Sequence, residues 1–429
     1  MTSNAPARVR FEQGLNFLRS GYLFASRIRD KAGVAPDSDT PVKLRMLGRP
    51  AVLVRGEEGV RLFYDGDRMK RNGAMPIFIR NPLFGPGAVH NLDGKAHETR
   101  KTVLVDLAYN DEHVERFKEL VAEELETMLG KWATGSGNVF DDTAVAYGRA
   151  AFRWAELPLS DREMEAQARR MSRLVDAFGQ PSRNAIAWVD RFRLDRWATR
   201  LIRDVRSGRT QAPADSVLAR MANLHDENGE LVDDRTAGVD LQNLTRPTVA
   251  VGRFAAFAAA ALVEHPEWVE RIRAASVAAG GGLIDIPEAV AFAHEVRRTY
   301  PFVPMLPALA TTDTEIKGCP IKKGQRVLLD ILGTNTAPTE WKDAGAFEPE
   351  RFLGVEDAEE ITSFIPQGGG DVLEGHRCPG EKIAMTALSA AVVALCRPQV
   401  SISGEIEDVA FPWTKMLTRP STGVRVNVS

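Results

Sequence analysis

Apolar residues recur every three or four positions along most of this chain. In "EHVERFKELVAEELETMLGKW" (112–132) and "DREMEAQARRMSRLVDAFG" (161–179) they line one side of a 3.6-residue period between charges, which predicts two amphipathic helices. Residues 189–207, "VDRFRLDRWATRLIRDVRS", continue the period with many arginines and predict a helix with a solvated, charged face. Strand-like patterning is local. "VKLRMLGRPAVLVRG" (42–56) alternates around a Gly-Arg-Pro turn, "CPIKKGQRVLLDI" (319–331) suggests strand, turn and strand, and "AASVAAGGGLIDIPEA" (274–289) suggests a surface loop. The pattern predicts a mainly α fold with small β-sheets. With no internal repeat and no long linker, residues 1–429 are expected to form a single domain.

One segment breaks the rule that buried helices are apolar. "DLQNLTRPTVAVGRFAAFAAAALVEHP" (240–266) is a long apolar helix with Arg246 in its middle, followed at once by Pro247. Proline cannot donate a helical hydrogen bond and crowds the preceding turn, so a helix break is expected there. A buried guanidinium is costly without an anion, so an anion is expected to come to Arg246.

Composition narrows the classes. With 44% hydrophobic residues, 26% charged residues and a net charge of −3, the chain is globular in type, and no charge excess points to nucleic acid. The amino terminus lacks a signal-peptide pattern, and the run Phe254 to Val263 is shorter than the roughly 20 residues of a bilayer span, so a cytoplasmic location without a membrane span is expected. The three cysteines, Cys319, Cys378 and Cys396, form no disulfide framework and no zinc-finger spacing.

Cys378 stands apart from the other two. It follows a glycine trio, Gly368 to Gly370, is flanked by His376 and Arg377, and leads into an apolar helix from about Glu381. A helix amino terminus and adjacent cations favour a thiolate, the form that ligates metal. A single thiolate suits the axial position of haem iron.

These residues, with the Glu-x-x-Arg pair Glu295 and Arg298 in "HEVRRTYPF" and Arg351 in "FEPERF", resemble the cytochrome P-450 haem-thiolate enzymes. Two departures narrow the resemblance. The loop "FIPQGGGDVLEGHRC" is longer than usual, and "NLTRPTVAV" stands where monooxygenases carry the acid-alcohol pair that delivers protons to dioxygen. Both departures are similar to the bacterial fatty-acid peroxygenases. That likeness extends through "LFYDGDRMKRNGAMP" (62–76), "NPLFGPGAVHNLDGKAHETRK" (81–101) and "LLDILGTN" (328–335).

The resemblance implies a cytochrome P-450 fold with a long central helix over haem b, Cys378 being the axial ligand. It implies a long-chain fatty acid as substrate and hydrogen peroxide as oxidant, with no obligatory redox partner. The substrate carboxylate, paired with Arg246 beside Pro247, would serve as the acid-base group. The products would be 2- or 3-hydroxy acids, terminal alkenes or both. His90 occupies the position where hydroxylating members carry Gln and an alkene-forming member carries His, so it either takes part in decarboxylation or only fills space. Phe84, Val175 and Phe178 are expected to contact substrate, Arg71, His97 and Lys101 the haem propionates, and His376 and Arg377 to flank the ligand, with either of the two facing a propionate. Two other readings stay open: a dioxygen-dependent monooxygenase served by redox partners, and a haem-binding sensor without turnover.

Overall fold

The computed structural model describes residues 6–177, 183–403 and 406–428. The fold is mainly α with small sheets, as the periodicity predicts. The two amphipathic segments form the helices Asp111–Trp132 and Asp161–Asp176. A capping box starts the second, in which the Glu163 carboxylate accepts from the Ser160 amide at 2.9 Å. Residues 178 and 179, the end of the predicted span, lie outside the described residues.

Residues 42–56 fold as an antiparallel hairpin, Val42–Met46 with Arg49–Val54, at the heart of a six-stranded sheet. Arg326–Asp330 joins the same sheet, parallel to Arg49–Val54. The predicted strand pair at 319–331 exists but is not a hairpin, because Cys319–Ile321 pairs instead with Thr314–Ile316. Residues 274–278 belong to the helix Pro266–Ala278, so the expected surface loop is shorter than its glycine content suggested.

The arginine-rich segment forms the helix Asn184–Arg206, and its charged face is only partly solvated. Asp190, Arg191 and Asp195 are buried, with Arg191 paired to Asp195 and to Gln242 of the central helix.

The central apolar segment forms two helices in line, Asp234–Ala250 and Gly252–Glu264. The expected break at Pro247 is displaced. The helix runs through Pro247, and the interruption falls at Val251, whose amide bonds back three residues to Thr248 at 3.1 Å. Pro247 only removes the donor that the Asn243 carbonyl would use. Gly252, next to the turn, packs so closely on the helix Val139–Trp154 that a Cβ there would sit 3.2 Å from the Phe140 carbonyl. Asp234–Glu264 has the length and composition to cross a membrane, but 83% of its apolar window is buried inside the protein. It is the axis of the core.

Candidate active site

The site is built against a buried ionic scaffold. On the helix Pro287–Thr299 the Arg298 fork meets Glu295 twice, both at 2.7 Å, and neither side chain has exposed surface. Glu295 also accepts from the Glu348 amide at 2.7 Å and lies 3.6 Å from Arg351. Arg298 donates on to the Asn335 carbonyl at 3.1 Å, and the Asn335 side chain accepts from the Ile365 amide at 2.8 Å. The Glu-Arg-Arg cluster therefore fixes the start of the glycine loop through Asn335. A buried pair broken on one side costs about 3–5 kcal/mol, so the scaffold is rigid for as long as it is complete.

The glycine trio lies against Tyr64. A Cβ on Gly370 would stand 2.8 Å from that side chain, and Gly370 has a φ of 75°, so a larger residue is excluded twice over. Beyond the loop, Cys378 precedes the helix Glu381–Leu395. Cys319 and Cys396 are buried in apolar clusters, and burial pushes the Cys396 thiol up to about 12.

The expectation that Arg377 would favour a Cys378 thiolate is not met in the protein alone. Burial raises the thiol's pKa and the Glu381 carboxylate raises it further, against the weaker pull of the Gly380 amide and Lys101. The reason lies in Arg377, whose Nε donates to Glu381 at 2.9 Å and whose Nη1 donates to the Glu359 carbonyl at 2.7 Å. Its charge is already compensated. Deprotonating Cys378 falls to the metal it ligates.

Four cationic or imidazole groups gather around one acid. The Arg71 guanidinium lies 4.0 Å over the Phe63 ring, His97 stacks on His376 with centroids 3.9 Å apart, and Lys101 donates to the Arg377 carbonyl. Asp93 is the acid. Burial opposes its charge, but His376 and the Arg71 and Asn72 amides outweigh that and hold it at about 2. Desolvation depresses His97 to about 3 and Lys101 to about 8. Such a cluster, short of negative charge, suits a ligand with two carboxylates. Tyr64 Oη and Arg377 Nη2 are also buried without a hydrogen-bond partner. Among the described residues no group of three His, Cys, Asp or Glu side chains is placed to hold a bare metal ion. One thiolate, a flat loop without side chains and propionate-binding cations together fit haem.

Arg246 is buried and has no carboxylate partner among the described residues. Its Nη2 donates to Asn243 Oδ1 at 2.8 Å, and its Nε has no partner. Desolvation, helped by the charge of Arg191, lowers the guanidinium to about 9, which leaves it charged at neutral pH. Pro247 is half-buried beside it.

Asn243 also donates to the Phe84 carbonyl at 3.0 Å, and Phe84 stacks on His90 with centroids 4.3 Å apart. His90 keeps open surface, yet the protein around it is dense enough that desolvation, followed by the charge of Arg246, drives the imidazole to about 3. With its pKa so depressed, the ring stacked on Phe84 is neutral at physiological pH. Its turn is pinned to the central helix, because the Val89 amide donates to Asp240 at 3.2 Å and Asp240 is locked to Arg100. Gly85 closes the contact; a Cβ there would meet Val239 at 2.7 Å.

Val175 packs with Ala250, Leu417 and Phe302, one turn beyond Arg246 on the central helix. Phe178 lies outside the described residues. The structure thus brings together Arg246, Phe84 and His90 on one side, and Cys378, Arg71, His97, Lys101 and His376 on the other. It turns the Arg377 side chain toward Glu381. Asn243, Asp240 and Arg100 had no signal in the sequence, since each is an ordinary polar residue until the fold gives it a partner.

The family model for cytochrome P450 matches residues 248–413. Cytochrome P450 26A1 of Gallus gallus is 25% identical over 394 residues, covering 83% of this chain and 77% of its own. Among solved structures, cytochrome P450SP alpha (CYP152B1) is 32% identical with a TM-score of 0.86, covering 97% of this chain and 98% of that one. Cytochrome P450 OleT, solved with arachidonic acid, is 28% identical with a TM-score of 0.89, covering 99% and 98%. P450EX alpha (CYP152N1), solved with myristic acid, is 28% identical with a TM-score of 0.87 over the same shares. Proteins of this fold bind haem b through an axial cysteine thiolate, the chemistry for which the loop at Cys378 is shaped. Full-length likeness at this identity, together with the scaffold and the glycine loop, makes this chain a haem-thiolate oxidoreductase of the cytochrome P450 superfamily, in the family of the bacterial fatty-acid peroxygenases.

Proposed function

We propose that the protein is a hydrogen-peroxide-dependent fatty-acid peroxygenase whose acid-base group is the substrate's own carboxylate. The observation that carries this reading is Arg246, a buried guanidinium with an idle Nε and no acid beside it. A carboxylate meets such a group through two parallel hydrogen bonds, and the pairing removes the cost of the buried charge. Two of the solved relatives hold fatty acids, myristic and arachidonic, which supports a fatty acid as that anion.

Haem b, which Cys378 would ligate and Arg71, His97, Lys101 and His376 would hold, would supply the redox chemistry. The chain's own residues do the rest. Asp240, on this stretch of the central helix, is locked to Arg100, and Asp195, beside Gln242, is locked to Arg191, so neither lends a proton. Arg246 holds the substrate carboxylate in the ionised form, ready to take a proton from one oxygen of hydrogen peroxide and return it to the other. Fixing the carboxyl end leaves Cα and Cβ as the first C–H bonds beyond it, so oxidation is confined to them. Val175, packed with Ala250 and Phe302, lines the path of the alkyl chain. No redox partner is needed, since peroxide brings both oxygen and oxidising equivalents.

His90, neutral and stacked on Phe84, stands beside the carboxylate site. A carboxylate on Arg246 cancels the charge that repels a proton from this imidazole and so raises its basicity. A proton-bearing ring at this point favours loss of CO2, and substantial terminal alkene is expected beside the hydroxy acids. The test is palmitate with hydrogen peroxide, products separated by gas chromatography. Oxidation at Cα and Cβ with pentadecene supports the whole reading, and hydroxy acids without pentadecene remove the role of His90. Turnover with NADH and redox partners but none with peroxide overturns it.

A further inference from the structure

The outer face of the helix Asn184–Arg206 has a composition that the active site does not use. Its first half exposes Ile186, Val189 and Phe192 to 54%, 50% and 60%, with Trp188 beside them. Its second half exposes Arg193, Arg196, Arg200 and Arg203 on the same stripe, spaced three or four residues apart. The helix Ile77–Phe84 packs against this helix and exposes Ile77 and Phe78 as well.

The acids of the helix are already paired within the protein. Asp190 is buried against Arg173, and Asp195 is buried against Arg191. Asp234 takes Arg203 and Arg206. Arg193, Arg196 and Arg200 have no acidic partner among the described residues, and Arg196 lies over the Phe192 ring, where cation and apolar surface meet. A groove of about 510 Å³ runs between Phe192, Arg196, Arg200, Arg203 and Arg235, with Asp195, already paired to Arg191 and 3.4 Å from Arg235, in its wall.

We infer that this face docks on the surface of an anionic phospholipid bilayer. The apolar half enters the boundary of headgroups and acyl chains while the arginines of the groove pair with lipid phosphates, the arrangement of a helix lying in the interface plane. Charge complementarity selects the partner: the chain carries a net charge of −3, yet this face exposes four arginines, and the acid in its groove, Asp195, is already paired to Arg191. Nucleic acid or an acidic protein would satisfy the arginines but would leave the aliphatic half in water. The inference does not rest on the peroxygenase reading, because its test measures binding alone.

The test is flotation of the haem-loaded enzyme with vesicles of equal phosphatidylglycerol and phosphatidylcholine, compared with phosphatidylcholine alone. Partition is expected only onto the anionic vesicles, falling as salt rises. At roughly fivefold per arginine near an anionic surface, Arg193→Gln/Arg196→Gln/Arg200→Gln weakens it about a hundredfold. Val189→Asp/Phe192→Asp weakens it independently, and an unchanged haem absorption band shows that these variants are folded. Equal partition onto both vesicle types, no partition, or wild-type partition by the triple variant overturns the inference. Release by inorganic phosphate at the headgroup concentration marks the groove as a site for free phosphate and also overturns it.

Discussion

Arg246 and Asn243 share a hydrogen bond of 2.8 Å on one turn of the central helix, and through Asn243 the anion-binding group is tied to the backbone of Phe84 at 3.0 Å. The carboxamide thus orients the guanidinium and anchors the loop that carries Phe84 and His90. Asn243→Ala removes a bond to a charged donor, worth about 1.5–3 kcal/mol, and should lower kcat/KM for fatty acids roughly ten- to hundredfold, mostly through KM. Asn243→Asp should weaken fatty-acid binding further, by installing a counter-ion that competes with the substrate carboxylate. Steady-state kinetics and the spectral shift on substrate binding measure both.

Arg246→Ala should leave haem bound and abolish fatty-acid turnover with peroxide. Arg246→Lys keeps the charge but loses the planar fork, so it should retain only weak activity. Palmitate hydroxylation at the wild-type rate by either variant would remove the carboxylate mechanism.

Asp240 and Arg100 form a buried pair that also holds the Val89 amide and hence the His90 turn. Asp240→Ala leaves Arg100 charged and unpaired, and a loss of about 3–5 kcal/mol is expected in chemical denaturation. The milder Asp240→Asn should cost less and shift the product ratio in the same direction as His90→Gln, toward hydroxy acids, because both disturb the same ring.

His294 is half-buried beside Arg297, and desolvation, then that charge, holds it well below its usual 6.5. It is neutral when folded and protonated when unfolded below that value, so the unfolded chain binds the extra proton. The stability this difference costs is absent above pH 6.5 and grows as pH falls toward the depressed folded pKa, by up to ~1.4 kcal/mol per pH unit. His294→Gln should therefore flatten the loss of stability as pH falls below 6.5, measured as Tm against pH.

The sequence carried the helical architecture, the haem loop and the misplaced arginine, because each is a local signal. Periodicity shows in consecutive residues such as 112–132, Gly368 to Gly370 announce a loop free of side chains, and a charge in an apolar helix is conspicuous. Three features could not be read there. The helix interruption sits at Val251, not at Pro247, because packing of Gly252 on Val139–Trp154 sets it. Arg377 does not activate Cys378, because Glu381, one turn into the next helix, and the Glu359 carbonyl take up its donors. The strand pair at 319–331 divides between two sheets.

By itself, then, the sequence determined which groups are present: a cysteine ahead of an apolar helix, an arginine beside a proline in the long apolar segment, and the apolar faces that must be covered. Tertiary structure alone decided which of them are left uncompensated, since a charge is neutralised by what lies near it in space. Arg100 met Asp240 across 140 residues of chain, and Arg191 met Asp195 and Gln242. Arg246 met only a carboxamide, and that missing counter-ion is what the proposed carboxylate substrate would supply.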